Sequence, residues 1–236
     1  MNLIIPAILF CLTYSQSITF IANEGNYGAS NGTISMVFDD GNVIETEPIG
    51  DVVQALQVYG NKLIVLINNS HQIKIYDIDS NGISMPGIEI STNGSSPRDL
   101  EIIDNKIYFT NFNTQDVKVF DLFNYTFLPS IPINGLPDDI AYDGQYLWVT
   151  IPHSNENFNT GNSIAKIDIH SNSVTGVYEV GDGPTQIEFL DSAMYISRTY
   201  YDSSWNTFHA TTKISNFTSI EQDNSNIELI SSEYGS

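Results

Sequence analysis

The chain has 236 residues, of which 8 are basic and 28 are acidic, so its formal net charge is −20. This excess of negative charge excludes a nucleic-acid-binding surface, because too few cations are present to neutralise a phosphate backbone, and it disfavours adhesion to anionic lipid for the same reason. With 41% hydrophobic residues, the chain is predicted to fold as one globular domain with its own core.

Residues 1–15 are predicted to be an export signal. An apolar run of ten residues ends at Leu12, and it is too short to cross a bilayer as a helix. Small residues follow at Thr13 and Ser15, as they do at a signal-peptidase site, so the mature chain is predicted to start at Gln16. We therefore expect a secreted, periplasmic or cell-surface protein.

Two other interpretations of this segment stay open. It could form a buried N-terminal strand, or Cys11 could carry a lipid anchor, although the bulky Phe10 replaces the small residue that such a site needs. Cys11 is the only cysteine, so removal of the signal would leave no disulfide and no thiolate for a metal. The rest of the sequence contains no apolar run long enough for a membrane span.

A repeated element runs through residues 16–236 and sets the predicted fold. It is a short aromatic or β-branched run that ends in a polar residue, and it recurs at intervals of 40 to 47 residues. The five copies begin at Phe20, Val65, Tyr108, Trp148 and Tyr195. A second marker, an aromatic or aliphatic residue followed by Asp, comes after each of the first four copies. Two sequence markers that recur in the same order and at a similar spacing indicate a repeat architecture.

Each repeat is predicted to consist of short strands. β-branched and aromatic residues fill the runs, and turn dipeptides such as Asn81-Gly82 and Asp143-Gly144 separate them. No segment shows the sustained apolar period of a helix. Four short strands in roughly 44 residues are typical of a β-propeller blade. The predicted fold is therefore an all-β propeller of four-stranded blades with about five blades visible, and a β-sandwich is the alternative.

The run Tyr108-Phe109-Thr110-Asn111 and its copies resemble the repeats of YncE-like, YVTN-repeat propellers, a group that includes lactonase-like proteins. The segment from Phe20 to Gly25 is similar to the start of secreted bacterial members. The resemblance implies a propeller over the whole mature chain but no single function, since the group contains binding proteins and enzymes. Such relatives usually close with seven blades. The sequence is therefore either an incomplete seven-bladed propeller, a five-bladed ring or half of a two-chain ring.

The propeller prediction brings two sets of loops to one mouth of the central channel, where ligands of propellers usually bind. The loops that enter the innermost strands contain Gln54, Arg98, Asp99, Asp138, Asp139 and Gln186. The loops that follow the second strands contain Asn23, Glu24, Asn68, Asn111, His153 and Arg198. The two arginines are notable in so acidic a chain. Each could clamp a carboxylate or phosphate, or could simply pair with a neighbouring Asp.

Two further features suggest ligands without specifying them. Long insertions follow the second strand at residues 152–162 and 199–211, and the aromatic residues of the second insertion could stack on a sugar or could cover the channel mouth. Residues Asp77 to Gly82 match the first half of a calcium loop, but the twelfth position is Ile88, so a hairpin turn is the preferred interpretation. We predict no metal and no cofactor.

Catalytic signatures are missing from the sequence: there is no nucleophile elbow, no phosphate-binding loop and no dinucleotide fingerprint. We therefore predict a secreted or cell-surface propeller that binds a ligand or a protein partner without catalysis. The alternative is a propeller enzyme of the lactonase or lyase type. In that enzyme Arg98 or Arg198 would hold a small acidic substrate, and His153 or Asp138 would transfer the proton.

Overall fold

The structure, a computed structural model, describes residues 17–217, 220 and 227–231, so the predicted signal at residues 1–15 lies outside the described residues. The described strands form five antiparallel sheets, numbered here as blades in chain order. Blade 1 contains β1 (Ile18–Asn23), β2 (Thr33–Phe38) and β3 (Val43–Glu45). Blade 2 contains β4 (Val53–Tyr59), β5 (Lys62–Ile67), β6 (Gln72–Asp79), β7 (Gly82–Ile83) and β8 (Ile88–Ser91). Blade 3 contains β9 (Pro97–Ile103), β10 (Lys106–Asn111), β11 (Asp116–Asp121) and β12 (Thr126–Pro132).

The last two blades repeat this pattern. Blade 4 contains β13 (Ile140–Tyr142), β14 (Tyr146–His153), β15 (Thr160–Asp168) and β16 (Ser173–Glu179). Blade 5 contains β17 (Pro184–Leu190), β18 (Ala193–Tyr201), β19 (Thr207–Ser215) and β20 (Ile227–Ser231). Blades 3 to 5 are four-stranded, and in blade 2 both β7 and β8 pair with β6. Blade 1 has three described strands, and β1 carries the first copy of the repeat, as the second strand does in every other blade.

The aromatic residues that open the last three copies occupy equivalent places in successive blades. Their cross-strand partners in the innermost strands are the matching pairs Tyr108–Glu101, Trp148–Ala141 and Tyr195–Glu188. In the second copy, the residue equivalent to Tyr108 is Ile64 and not Val65, so the predicted start of that copy is wrong by one residue. Strand β5 is aliphatic over five consecutive positions, so its composition alone does not set the register.

Four hydrophobic clusters fill the seams between neighbouring blades. The clusters join blades 1 and 2, 2 and 3, 3 and 4, and 4 and 5, and none in the described part of the chain joins blade 5 to blade 1. Tyr108 and Trp148 are buried against the blade that follows, whereas Tyr195 is only partly buried. Among the described residues there is no helix long and apolar enough to span a membrane.

Candidate functional site at the channel mouth

A polar cavity of about 260 Å³ lies where four consecutive innermost strands begin. It is lined by Gln54, Arg98, Asp99, Asp138, Asp139, Thr185 and Gln186. Six of these seven residues are the complete set predicted from the loops that enter the innermost strands. The structure therefore brings that set together, while its role in ligand binding stays a prediction. Thr185 was missed, although its place directly after Pro184 matches the place of Arg98 after Pro97.

A local irregularity of the strands turns these side chains toward the cavity. In blade 5, Pro184 pairs with Arg198 and Gln186 with Ser197, which leaves Thr185 without an opposite residue. Blades 2 and 3 show the same register shift at the start of β4 and β9. Such an extra residue bends a strand and re-aims its side chains. Two adjacent positions of β9 and of β17 therefore contribute to the same cavity, namely Arg98 with Asp99 and Thr185 with Gln186.

Arg98 connects three blades at this site. Its Nε donates to Asp138 Oδ1 at 2.8 Å, and its Nη1 donates to Gln54 Oε1 at 3.0 Å. The guanidinium carbon lies 4.5 Å from the centre of the Phe112 ring. Arg98 thus pairs with a neighbouring Asp, which was one of the two expectations for it, and its positive charge is largely compensated.

Asp99 and Asp139 form a second, half-buried pair beside this ion pair. Asp99 Oδ2 accepts the N–H of Ile140 at 3.1 Å, and Asp139 Oδ2 accepts the N–H of Ile187 at 2.8 Å, so each carboxyl group bonds the innermost strand of the next blade. Burial raises the pKa of Asp139 to about 8, and the nearby charge of Asp99 adds to this. Burial also raises the pKa of Asp99, and the two carboxyl groups are hydrogen-bonded. The pair therefore retains at least one proton at pH 7.

The asparagines expected at the mouth are used within the fold instead. Asn68 is buried and its Nδ2 donates to Pro97 O at 2.8 Å, which ties blade 2 to blade 3. Asn111 is fully buried, and its Nδ2 donates to Phe109 O at 2.9 Å. A buried amide group must be hydrogen-bonded, and both of these amides bond main-chain carbonyl groups.

The expected residues of blade 1 also lie apart from the cavity. Asn23 Nδ2 donates to Thr33 Oγ1 and Ser35 Oγ, both at 2.9 Å, so it bonds strand β2 of its own blade. Glu24 is exposed and is not among the lining residues. Neither residue contacts the Arg98 ion pair through a hydrogen bond or salt bridge of the described structure.

Arg198 and His153 occupy two other environments. Arg198 is only 6% exposed, its Nη1 donates to Asp182 O at 3.4 Å, and its Nε is buried without a partner among the described atoms. The guanidinium packs against Gly181, where a Cβ would lie 2.4 Å from Nη1. His153 packs edge-on against Phe158, with 5.2 Å between ring centres, and lines a different cavity. Neither side chain lines the channel-mouth cavity, but the His153 ring packs against Phe112 with 6.3 Å between ring centres, and its pKa, which burial lowers, also responds to the charges of Asp138 and Arg98.

The candidate calcium loop forms a hairpin turn. Asp77 pairs with Lys62 at 2.7 Å, and Asp79 Oδ1 accepts the N–H of Asn81 at 2.7 Å. Gly82 has a φ of +114°, which favours glycine. Within the described ranges, no three His, Cys, Asp or Glu side chains are placed to hold a metal ion together.

No protein-family model matches the sequence, and no curated protein matches it. Solved structures do match. Hydrazine synthase of Kuenenia stuttgartiensis superposes with a TM-score of 0.65 at 15% identity, over 84% of this chain and 60% of that one. A Bacteroides uniformis protein, named as a candidate 6-phosphogluconolactonase, superposes with a TM-score of 0.63 at 10% identity, over 92% of this chain and 67% of that one. The β-propeller domain of Cps50 (Swd1) from Myceliophteria thermophila superposes with a TM-score of 0.61 at 11% identity, over 86% of this chain and 65% of that one.

The chain thus spans about 60% of the length of the hydrazine synthase chain that it matches. At identities of 10 to 15%, these similarities establish the fold and no activity. They agree with the repeated sheets, with the equivalent places of Tyr108, Trp148 and Tyr195, and with the seams between blades. The chain is a β-propeller, and the structure describes five of its blades.

Proposed function

We propose that this propeller is an exported binding module that takes a small polar ligand at its channel mouth and performs no chemistry on it. The observation that carries the proposal is the cavity of about 260 Å³ whose lining side chains are all polar and come from four successive blades. Ligand sites are concave and place a few convergent polar groups around the ligand. A channel mouth on a rigid set of strands meets both conditions.

The charges of the cavity define the class of ligand. Arg98 and Asp138 compensate each other at 2.8 Å, and the Asp99–Asp139 pair holds at least one proton at pH 7. The cavity therefore carries at most one net negative charge and offers carboxyl oxygens as acceptors. A ligand with hydrogen-bond donors, such as a small amine, fits this arrangement, whereas an anion would have to compete with Asp138 for Arg98.

The same contacts favour binding over catalysis. The carboxyl groups of Asp99 and Asp139 accept hydrogen bonds from backbone N–H groups of the next blade, and Arg98 is bonded to Asp138 and Gln54. A catalytic group needs to exchange its partners for the reacting atoms, and these groups instead hold a preformed cavity.

A matched pair of probes tests the ligand class. Butane-1,4-diamine and succinate have the same carbon chain and opposite charges, and each is titrated calorimetrically. The diamine is expected to bind, while succinate does not. In Asp138→Asn, Arg98 loses its carboxylate partner, so affinity for the diamine is expected to fall about tenfold while succinate begins to bind.

The control for this titration is Glu47→Gln, which removes one carboxylate at an exposed position away from the mouth. Its affinities are expected to equal those of the unmodified protein. Succinate binding to the unmodified protein as tightly as the diamine would contradict the proposed ligand class. Failure of both probes to bind would contradict the channel mouth as a ligand site.

A second candidate function is an enzyme of the lactonase or lyase type. It is favoured by one observation: Asp139, with a pKa raised to about 8, is a protonated acid at neutral pH in the cavity that holds Arg98. One of the similar structures is named as a candidate 6-phosphogluconolactonase. Hydrolysis of 6-phosphogluconolactone that is lost in Asp139→Asn would establish this candidate. Asp139 is the proposed proton carrier of this enzyme, because it lines the same cavity as Arg98, whereas His153 lines the neighbouring one.

We also infer export by the N-terminal segment and membership of the YncE-like group. Export is supported by the apolar run and the small residues before Gln16, and the group by the repeated runs together with the propeller fold. Mass spectrometry of the protein from a secreting host tests the first inference: a mature N-terminus at Gln16 is expected. An intact N-terminus at Met1 would contradict export by cleavage.

A further inference from the structure

A second cavity lies between the two long hairpin loops of blades 4 and 5. Its volume is about 300 Å³, and it shares no lining residue with the channel mouth. It is called the loop cleft here and is lined by Pro152, His153, Asn157, Phe158, Asn159, Thr160, Thr199, Tyr200, Tyr201, Asp202 and Trp205. The lining comes from the β14–β15 connection on one side and from the β18–β19 hairpin on the other.

The loop cleft presents aromatic rings to solvent from both sides. Trp205 is 82% exposed, Phe158 is 60% exposed and Tyr201 is 53% exposed. Tyr201 and Trp205 adjoin each other, with 6.2 Å between their ring centres. Burial of a large aromatic side chain is strongly favourable in free energy, so a cluster of exposed rings around a concavity indicates a binding surface. None of these rings is among the residues that line the cavity at the channel mouth.

The polar groups of the cleft are neutral or already engaged. Asn157, Asn159 and Thr160 supply amide and hydroxyl groups along one side. The carboxylate of Asp202 accepts three hydrogen bonds from its own turn: the N–H of Ser204 at 2.8 Å, the N–H of Asn206 at 2.9 Å and the Nδ2 of Asn206 at 2.8 Å. No Lys or Arg is among the lining residues. An anionic ligand would therefore find no Lys or Arg to pair with, and the one carboxylate of the lining, Asp202, is held by its own turn.

We propose that the loop cleft binds a neutral saccharide unit. A sugar ring has an apolar C–H face, which packs on an aromatic ring such as Trp205, and a rim of hydroxyl groups, which needs amide and hydroxyl partners such as Asn157 and Asn159. The absence of Lys and Arg from the lining favours a neutral sugar over an acidic one. The cleft combines these features in one concavity.

The size of the cleft distinguishes a saccharide from a peptide. Proline-rich peptides also pack on exposed aromatic side chains, but they lie extended along a groove. At about 300 Å³ the loop cleft is at the lower end of the usual volume of ligand sites, which suits one compact ring. A proline-rich peptide is therefore an alternative outcome of the test and not part of the proposal.

The two tryptophans of the chain allow a direct binding measurement. Trp148 is fully buried and Trp205 is exposed, so a ligand on the cleft changes the fluorescence of Trp205 while Trp148 contributes a constant background. Cellobiose, chitobiose and mannobiose are titrated to about 10 mM, because single-ring sites bind weakly. A saturable change is expected with at least one of them.

Variants measured by calorimetry then locate the site. Trp205→Ala and Tyr201→Ala are each expected to weaken binding of that disaccharide at least about tenfold. Phe123→Ala is the control, because Phe123 is 83% exposed on a turn that does not line the cleft. No saturable change with any of the three disaccharides, equal weakening by Phe123→Ala, or binding of decaproline in their place would overturn the proposal.

Discussion

The channel mouth and the loop cleft show two ways in which this propeller exposes polar and aromatic groups. At the mouth, charged side chains at or just before the start of the innermost strands bond one another and the backbone of the next blade, as Asp139 bonds Ile187. In the cleft, Trp205 and Phe158 lie on loops and remain largely exposed. The first arrangement couples the site to the stability of the fold, whereas the second leaves its groups available to a ligand at little structural cost.

The largest expected effect is a pH dependence of the free energy of unfolding that arises at the channel mouth and not in the loop cleft. The raised pKa of Asp139 means that the folded state holds a proton that the unfolded state has lost, so stability declines as the pH rises from about 4 to about 8. Asp139→Asn keeps hydrogen-bonding groups at this position without a titratable proton. It is expected to reduce this decline and to stabilise the protein at pH 8 by about 3 kcal/mol.

Urea unfolding at pH 4, 6 and 8 checks this prediction, with Glu47→Gln as the variant that should keep the pH dependence of the unmodified protein. An equal loss of stability between pH 4 and 8 in Asp139→Asn would show that the mouth is not coupled to folding in this way. The channel mouth would then not differ from the loop cleft in its coupling to the stability of the fold.

A smaller effect is expected from breaking the ion pair at the mouth. Asp138→Ala leaves the partly buried Arg98 without its carboxylate, and we expect a loss of about 2 kcal/mol in the free energy of unfolding. The matched control is the exposed pair of Lys62 and Asp77, which is as short, at 2.7 Å. Asp77→Ala is expected to cost under about 1 kcal/mol, because exposed pairs contribute little. Equal losses from the two substitutions would contradict a special environment at the mouth.

The smallest effect is expected in the loop cleft. Trp205→Ala removes a side chain that is 82% exposed, so the free energy of unfolding should change by less than about 0.5 kcal/mol. Thermal or urea unfolding measures this directly. A loss of more than about 2 kcal/mol would show that the ring is a packing element, and the cleft would then resemble the mouth.

The sequence predicted those features that recur locally. The repeated runs identified the propeller, and the position before each innermost strand identified six of the seven residues of the mouth. Thr185, at the start of β17, was missed because a hydroxyl residue at the entry to a predicted strand is not distinctive. The proton shared by Asp99 and Asp139 was also missed, because these two residues lie 40 positions apart in the sequence and come together only when two blades pack against each other.

The residues after the second strands were harder to predict because their direction depends on the strand irregularity. Asn111 and Arg198 occupy corresponding places in the repeat, yet both point into the fold and are almost fully buried. Sequence position alone does not reveal that a polar residue satisfies buried carbonyl groups. The aliphatic strand β5 likewise concealed that the second copy is shifted by one residue.

The charge of the channel mouth, and with it the proposed ligand class, depends on the proton held between Asp99 and Asp139. Infrared difference spectroscopy observes that proton through the C=O stretch of a protonated carboxyl group. The account predicts a band that is present at pH 6, disappears with a midpoint near the pKa of about 8, and is absent from Asp139→Asn. A spectrum in which no carboxyl group of the unmodified protein is protonated at pH 6 would contradict it.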